Sequence, residues 1–148
     1  MISVKIKRAD QSEKILLAGL MCKLWPGHTQ VQMQEEVEVL LADHNTALFI
    51  AWQKEQALGF AQCQLRHDYV EGTQTSPVGY LEGIYVEEAF RKQGIARALL
   101  AACEQWAKGM HCTEFASDCE LDNVESQRFH NAVGFAEANR IVCFTKSL

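Results

Sequence analysis

Hydrophobic positions recur with two different periods along this chain, and the changes of period predict the order of its helices and strands. A helical period is seen early, where one face carries Leu17, Leu20, Met21 and Leu24. Short apolar runs that are typical of strands follow later in the chain. In chain order the pattern predicts strand 3–7, two helices, strands 47–52, 57–69 and 80–86, helix 95–108, strand 112–118, helix 123–133 and strand 137–146.

Capping residues and helix breakers define the two early helices. Asp10 precedes the first helix, and Glu13 stands three residues later, where a capping box places its acidic partner. Pro26-Gly27 ends that helix. Thr29 is placed to cap the second helix, whose apolar face contains Met33, Val37, Leu40 and Leu41.

This order of elements predicts one α/β (mixed α+β) domain over residues 1–148, with a mixed, mainly antiparallel sheet flanked by helices. Residues 70–79 are rich in glycine, proline and hydroxyl side chains, so they are expected to form a loop between two hairpin strands. A bulge is expected near Gln62. Strands 80–86 and 112–118 are joined through a helix, which predicts a parallel pair with a ligand crevice at its carboxyl ends.

A short polar turn between strand 80–86 and helix 95–108 predicts an anion site. The first amides of a helix lack partners within it and face a ligand from the positive end of the helix dipole. We call residues 91–96 the cofactor loop; they are Arg91, Lys92, Gln93, Gly94, Ile95 and Ala96. Neither a Walker loop nor a dinucleotide fingerprint fits. A phosphate-bearing cofactor is expected here, with a plain capped amphipathic helix as the alternative.

Composition narrows the classes of partner. The chain has 148 residues, 48% of them hydrophobic and 22% charged, and a net charge of -5. An acidic balance argues against nucleic acid and anionic membranes as partners and suits a cationic substrate. The chain has no run of about 18 apolar residues, so no membrane span is expected, and no signal peptide is expected at its start.

Six scattered cysteines contain no Cys-x-x-Cys spacing, which predicts neither a metal site nor a disulfide framework. We therefore expect reduced cysteines in a cytoplasmic protein.

The cofactor loop resembles the pyrophosphate loop of the GNAT N-acetyltransferases, which reads Arg/Gln-x-x-Gly-x-Gly/Ala. Downstream, Asn123, Ser126, His130 and Gly134-Phe135 match positions where that superfamily shows Asn, Ala, Tyr and Gly-Phe. Further stretches are similar to the bacterial aminoglycoside 6'-N-acetyltransferases of this superfamily, and they span nearly the whole chain. These stretches are 24–28 (LWPGH), 66–73 (RHDYVEGT), 76–78 (SPV), 81–86 (LEGIYV) and 116–118 (ASD).

The resemblance implies transfer of an acetyl group from acetyl-coenzyme A to the 6'-amine of an aminoglycoside antibiotic, without a metal. It implies that backbone amides of Tyr85 and Val86 hold the pantetheine arm and the thioester. It also implies that amides of residues 92–96 hold the pyrophosphate and that Asn123 contacts the cofactor. Related enzymes are often dimers, so a homodimer is expected, with the apolar run 141–144 serving either an interface or the core.

Two carboxylates are the candidates for contact with the substrate amine. Glu82 lies within an apolar strand, where a charged side chain is unusual without a partner. Asp118 ends the next parallel strand. We expect Glu82 to accept the proton of the attacking amine and Asp118 to orient it. The alternatives are a solvated sheet face for Glu82 and a turn or cap for Asp118.

Three further residues fall in the stretches that resemble the family's substrate pocket. They are Trp25, His28 and Tyr69. Each also has an ordinary structural interpretation. Trp25 can fill the core at a chain stop, His28 can lie on the surface, and Tyr69 can be half-buried in a strand.

Position 130 departs from the superfamily, where a tyrosine usually protonates the departing thiolate. Imidazole can also donate a proton, so we expect His130 to be the catalytic acid. The alternative is a helix histidine that packs near Phe135.

The residues alone are also compatible with two other functions. The first is a GNAT enzyme that acts on a polyamine or a protein amine. The second is a module that binds coenzyme A without turnover. Glu82 with Asp118 favours catalysis, and the matches at 24–28 and 66–73 favour the aminoglycoside enzyme.

Overall fold

A single sheet with the strand order β1-β2-β3-β4-β5 connects the elements of the protein. The computed structural model describes residues 3–148; the first two residues of the expected domain lie outside them. The strands are β1 (Lys5–Arg8), β2 (Thr46–Gln53), β3 (Gln56–Arg66), β4 (Val78–Val86) and β5 (Phe115–Ser117). The helices are α1 (Lys14–Leu24), α2 (Gln30–Ala42), α3 (Ile95–Gly109) and α4 (Val124–Ala132).

The pairing of the strands confirms the mixed α+β prediction. β1 through β4 pair antiparallel, and only β4 and β5 run parallel. α3 connects that parallel pair. The expected bulge is present, because Gln62 pairs with Gly83 while Cys63 pairs with Leu81. This register leaves Glu82 as the extra residue on β4.

Both early helices begin as the capping residues predict. Asp10 accepts a hydrogen bond from the Ser12 amide and forms a capping box with Glu13, although one 3-10 turn precedes α1 itself. Thr29 and Gln32 form the same box at the start of α2. Such caps are typically worth about 1 kcal/mol each.

Helices cover both faces of the sheet, so β2 is buried almost throughout. Leu48 and Ile50 pack with Phe60 against α1 and α2. The alternate residues Phe49 and Ala51 pack against α3 on the opposite face. Full burial of a side chain of this size stabilises the fold by about 1.5–3 kcal/mol. The sheet is therefore the middle of three layers, and β4 lies between β3 and β5 within it.

Two predicted strands are longer than the observed ones. The predicted strand 57–69 ends at Arg66, so Tyr69 lies in the loop that leads to β4. The predicted strand 112–118 shortens to Phe115–Ser117. In both places the pairing partner ends: Arg66 pairs with Val78, the first residue of β4, and β5 is paired over only three positions. Without a partner strand, β propensity alone does not extend a strand.

The predicted strand 137–146 is wrong for this single chain. Residues 135–148 have no helix or strand, and residues 136–148 are exposed. Asn139 donates a hydrogen bond from its side chain to Glu71, and Arg140 forms an ion pair with Glu137. Alternating apolar residues form a strand only where another strand satisfies their backbone groups, and the described part of the chain provides none here.

Candidate active site

The parallel strands β4 and β5 separate where the candidate site begins. Their last paired residues are Leu81 and Ser117. From Glu82 to Val86, the edge of β4 that faces β5 has no strand partner within residues 3–148. Tyr85 and Val86 lie at the end of this unpaired edge. The Val86 carbonyl accepts a hydrogen bond from Arg91, whereas the amides that face away from β3 on this edge have no strand partner and can face a ligand.

The cofactor loop follows β4 and a single 3-10 turn, and it leads directly into α3. Gly94 is the N-cap of α3 and has a left-handed conformation (φ 82°), and Lys92 is also left-handed (φ 61°). A glycine cap supplies no side chain to the first amides of the helix. The space beside Gly94 is empty, because an added Cβ would meet no protein atom within 4 Å. These amides are therefore open to an anion.

Two arginines around the turn are already hydrogen-bonded to the fold. Arg91 donates from Nε to the carbonyl of Val86 at 2.8 Å, and Arg97 donates from Nη2 to the carbonyl of Ala132 at 3.0 Å. Their charges remain near the loop, while Gln93 is exposed beside them. Recognition of an anion here rests mainly on backbone amides, with the cations adding a positive field.

Asn123 caps α4. Its Oδ1 accepts a hydrogen bond from the Ser126 amide at 3.1 Å. This bond fixes the side chain and leaves the Nδ2 donor for a ligand.

Glu82 owes its orientation to the bulge and to a partner that the sequence did not predict. Its side chain is only 13% exposed. Arg66 donates to its Oε1 from Nε at 3.1 Å and from Nη2 at 2.5 Å, and to its Oε2 from Nη2 at 2.9 Å. This pair explains how a carboxylate is tolerated within an apolar strand. The interpretation of Glu82 as a freely solvated residue is therefore excluded.

Asp118 follows β5 and accepts a hydrogen bond from the hydroxyl of Tyr80. Burial, together with this contact to Asp118, raises the pKa of Tyr80, so the phenol remains a neutral donor. The guanidinium of Arg66 lies 3.4 Å from the centroid of the Tyr80 ring. Glu82 and Asp118, which we call the acidic pair, are thus linked through Arg66 and Tyr80. Neither linking residue was singled out from the sequence.

Trp25 packs over Gly83, the residue after Glu82. A Cβ added to Gly83 would lie 2.6 Å from the Trp25 ring, which also contacts Phe60 edge-on at 6.2 Å between centroids. The side chain therefore fills the core against β4 at Gly83.

His28 and Tyr69 are both exposed, whereas the hydrogen bonds of the acidic pair go to Arg66 and Tyr80. Tyr69 is 78% exposed and not half-buried in a strand. It lies in the loop before β4, where Tyr69, Thr73 and Ser76 help to line a shallow cavity of about 480 Å³. Glu114 holds this loop by accepting hydrogen bonds from the Gln74 and Thr75 amides.

His130 is held through both ring nitrogens. Its Nδ1 lies 2.7 Å from the carbonyl oxygen of Ser126, which can only accept, so Nδ1 carries the proton in the neutral ring. Its Nε2 lies 2.8 Å from the hydroxyl of Ser117, at the end of β5. The ring also packs against Phe129 and Phe135. His130 thus combines packing with a hydrogen bond to the last residue of β5.

Three further features concern metal binding, membrane spans and the cysteines. Within residues 3–148, no group of three or more His, Cys, Asp and Glu side chains is placed to hold a metal ion. No helix in this part of the chain is long and apolar enough to cross a bilayer. All six cysteines are free thiols.

A splayed parallel pair, followed by a glycine-capped helix at its carboxyl end, is the arrangement of the GNAT acetyltransferase fold. The model of the acetyltransferase (GNAT) family matches residues 17–135. The chain therefore belongs to the GNAT acetyltransferase family.

The names of individual relatives are more specific than the name of the family. The chain is 44% identical over 130 residues to an aminoglycoside N(6')-acetyltransferase type 1 of Acinetobacter baumannii, covering 88% of this chain and 89% of the relative. It is 41% identical over 145 residues to the enzyme of the same name from Acinetobacter haemolyticus, covering 98% and 99%.

Solved structures of similar proteins agree with the assignment to this family. The structure of AAC(6')-Iy in complex with the bisubstrate analog CoA-S-monomethyl-acetylneamine has a TM-score of 0.95 and 38% identity, and 99% of each chain is covered. AAC(6')-Ih from Acinetobacter baumannii has a TM-score of 0.92 and 40% identity over 99% of both chains.

Proposed function

We propose that this protein transfers the acetyl group of acetyl-coenzyme A to the 6'-amine of aminoglycoside antibiotics and thereby confers resistance to them. The observation that carries the proposal is the acidic pair, which lies where β4 and β5 separate, at the end of the sheet from which the cofactor loop begins. Relatives at 41–44% identity have this activity in their names. A polycationic acceptor needs counter-charges when it leaves water, and Glu82 and Asp118 supply them.

Acetyl-coenzyme A supplies the thioester that the amine attacks directly. The left-handed Gly94 and the empty space beside it fit a pyrophosphate held by the amides of residues 92–96. The amides of Tyr85 and Val86, at the end of the unpaired edge of β4, hold the pantetheine arm and the thioester in this proposal. The side chain of Asn123, with its Nδ2 donor free of the cap, adds a further cofactor contact.

The acceptor side contains the acidic pair, Trp25, His28 and Tyr69. Glu82 and Asp118 bind ammonium groups of the substrate, and one of the two carboxylates accepts the proton of the attacking amine, directly or through water. Trp25, which packs over Gly83, forms a flat wall of the acceptor side. His28 and Tyr69 contact outer parts of the aminoglycoside from their exposed positions.

His130 returns a proton to the departing thiolate. In the imidazolium form, Nε2 donates to the Ser117 hydroxyl, 2.8 Å away, while Ser117 passes its own proton to the sulfur. The relay leaves a neutral imidazole and an intact serine. The Ser126 carbonyl keeps the proton on Nδ1 throughout.

The protein acts as a homodimer in the cytoplasm. Ile141, Val142 and Phe144 are 67%, 77% and 89% exposed, and a second copy of the chain would bury this apolar run. Free thiols and a metabolite cosubstrate suit the cytoplasm. Sedimentation velocity of the parent and of Phe144→Asp tests the dimer. The parent should sediment as a dimer and the variant as a monomer, whereas Val39→Asp, at another exposed apolar position, should remain dimeric. A monomeric parent would contradict the dimer.

Release of coenzyme A in the presence of aminoglycosides tests the activity. Aminoglycosides with a 6'-amine should release coenzyme A, and a matched compound with a 6'-hydroxyl should not. Turnover with a polyamine or a basic peptide, but with no aminoglycoside, would overturn the proposed substrate. The same assay without the aminoglycoside separates acetyl transfer from thioester hydrolysis.

A further inference from the structure

One arginine side chain connects the two carboxylates of the acceptor side. Arg66 is the last residue of β3 and pairs with Val78, so it must reach along β4 to meet Glu82. Its guanidinium donates three hydrogen bonds to that carboxylate. A planar fork of this kind fixes both the position and the plane of a carboxylate, which a single point contact cannot do.

The flat face of the same guanidinium lies on the ring of Tyr80, 3.4 Å from the ring centroid. Tyr80 is 6% exposed, so its ring cannot turn away, and its hydroxyl donates to Asp118. The contacts therefore run without a gap from Glu82 through Arg66 and Tyr80 to Asp118. They join β3, β4 and the end of β5.

We propose that Arg66 and Tyr80 are positioning residues for acetyl transfer, with Arg66 orienting Glu82 and Tyr80 orienting Asp118. This inference rests on the proposed function of the acidic pair. Arg66 also offsets one of the two negative charges, so the group of Arg66, Glu82 and Asp118 carries a net charge of about -1 at neutral pH. When a substrate ammonium group binds, it offsets the charge of one carboxylate while Arg66 offsets the other. Neither carboxylate is then left without a counter-charge when water is excluded.

The geometry explains why arginine, and not lysine, is required at position 66. An ammonium group can offset the charge of Glu82, but it has neither the fork for two oxygens nor the flat face for the Tyr80 ring. Lysine should therefore recover only the part of the function that depends on charge. Glutamine at this position should recover none of it.

Double-mutant cycles on steady-state kinetics test the inference. Arg66→Lys should lower kcat/KM for the aminoglycoside by about 10- to 100-fold through misplacement of Glu82, and Arg66→Gln should lower it further. In the Glu82→Gln background, Arg66→Lys should cost less than about threefold, because its partner is already lost. Tyr80→Phe should lower kcat/KM on the order of tenfold and should couple in the same way to Asp118→Asn.

Two controls separate positioning from folding and from the cofactor side. The affinity for acetyl-coenzyme A should be the same in all variants, which shows that the sheet is intact. Arg8→Lys, at an arginine on β1 whose Nη2 donates to the backbone carbonyl of Thr46 and to neither carboxylate, should have parental kinetics.

The outcomes are distinguishable. An active parent whose Arg66 and Tyr80 variants keep parental kinetics overturns this inference alone. Losses that add in both cycles also overturn it, because Arg66 and Tyr80 would then act independently of the carboxylates. A parent that acetylates no aminoglycoside overturns the proposed function and this inference together.

Discussion

The cofactor loop and the acidic pair lie at the same end of the sheet, but backbone amides form the first and side chains form the second. The cofactor loop consists of backbone amides placed by one glycine and one helix start, all within six consecutive residues. The acidic pair depends on side chains from β3, β4 and β5, on a bulge, and on a phenol and a guanidinium that lie between the carboxylates. A local site tolerates change around it, whereas a site assembled across strands depends on each partner.

The difference predicts that variants of one region leave the other intact. The largest effect is expected at Gly94. Gly94→Val should abolish binding of acetyl-coenzyme A, because its Cβ branches would enter the empty space that the pyrophosphate needs. Calorimetric titration with acetyl-coenzyme A measures this.

The matched control for Gly94 is Gly134→Val. Gly134 is also left-handed (φ 101°), with no atom within 4 Å of an added Cβ. Both variants should lose about 1–2 kcal/mol of stability to backbone strain, but only Gly94→Val should lose the cofactor. Equal affinity for acetyl-coenzyme A in the two variants would contradict the proposal that residues 91–96 bind the cofactor.

The second effect concerns His130, which contacts Ser117 at the end of β5. His130→Ala should lower kcat by about 10²–10⁴-fold, because general acid catalysis is typically worth this much, while KM for both substrates stays near the parental value. Stopped-flow and steady-state assays measure it. Since Ser117 contacts Nε2, Ser117→Ala should also lower kcat if the relay operates. A rate for His130→Ala within a few-fold of the parent would restrict His130 to packing against Phe135.

The acidic pair gives the third effect, of about 10- to 100-fold. Glu82→Gln keeps the shape of the side chain but loses its charge and basicity, so it should lower turnover and shift the pH–rate profile. Asp118→Asn should mainly raise KM for the aminoglycoside. The affinity for acetyl-coenzyme A should not change in either variant. Parental kinetics in both would show that neither carboxylate lines the acceptor site.

The smallest effect concerns the loop beside the acceptor side. Hydrogen bonds from the Thr75 hydroxyl and the Gln74 amide hold the pKa of Glu114 below its ordinary value of 4.5. A lowered pKa in the folded state means that the stabilisation is present above pH 4.5 and is lost as the pH falls through the folded pKa.

Thermal melts measured against pH test the role of Glu114. Glu114→Gln should be less stable than the parent at neutral pH, and the difference should shrink in acid. Glu55→Gln, at the exposed turn between β2 and β3, should show no such convergence. If the melting temperatures of the parent and Glu114→Gln differed by the same amount at every pH, the effect of Glu114 would come from the shape of its side chain and not from its charge.

The sequence predicts most of the fold because the apolar periods and caps are local signals. Asp10, Thr29 and Gly94 each act within a few residues of their own position, and the structure places all three at helix starts. The final strand could not be predicted in this way, since the run at 141–144 has strand-like residues without a strand partner in the described chain. Local propensity does not supply a partner.

The contacts of the acceptor side could not be predicted from the sequence for a related reason. The contact between Arg66 and Glu82 depends on the register of β3 against β4 across a long loop, and on the bulge that turns the Glu82 side chain. A one-residue slip would place both side chains elsewhere. Tyr80 looked like an ordinary residue of an apolar strand, and only the pairing of β4 with β5 brings it to Asp118.

The position of the acetyl group on the product tests the proposed function most directly. Two-dimensional NMR of an aminoglycoside with a 6'-amine, recovered after reaction with acetyl-coenzyme A and the parent protein, locates the new amide. The account predicts an acetyl group on the 6'-nitrogen and none elsewhere, with the initial rate of product formation about 10- to 100-fold lower for Glu82→Gln. An acetyl group on a ring amine or a hydroxyl, or an unmodified drug, would contradict it.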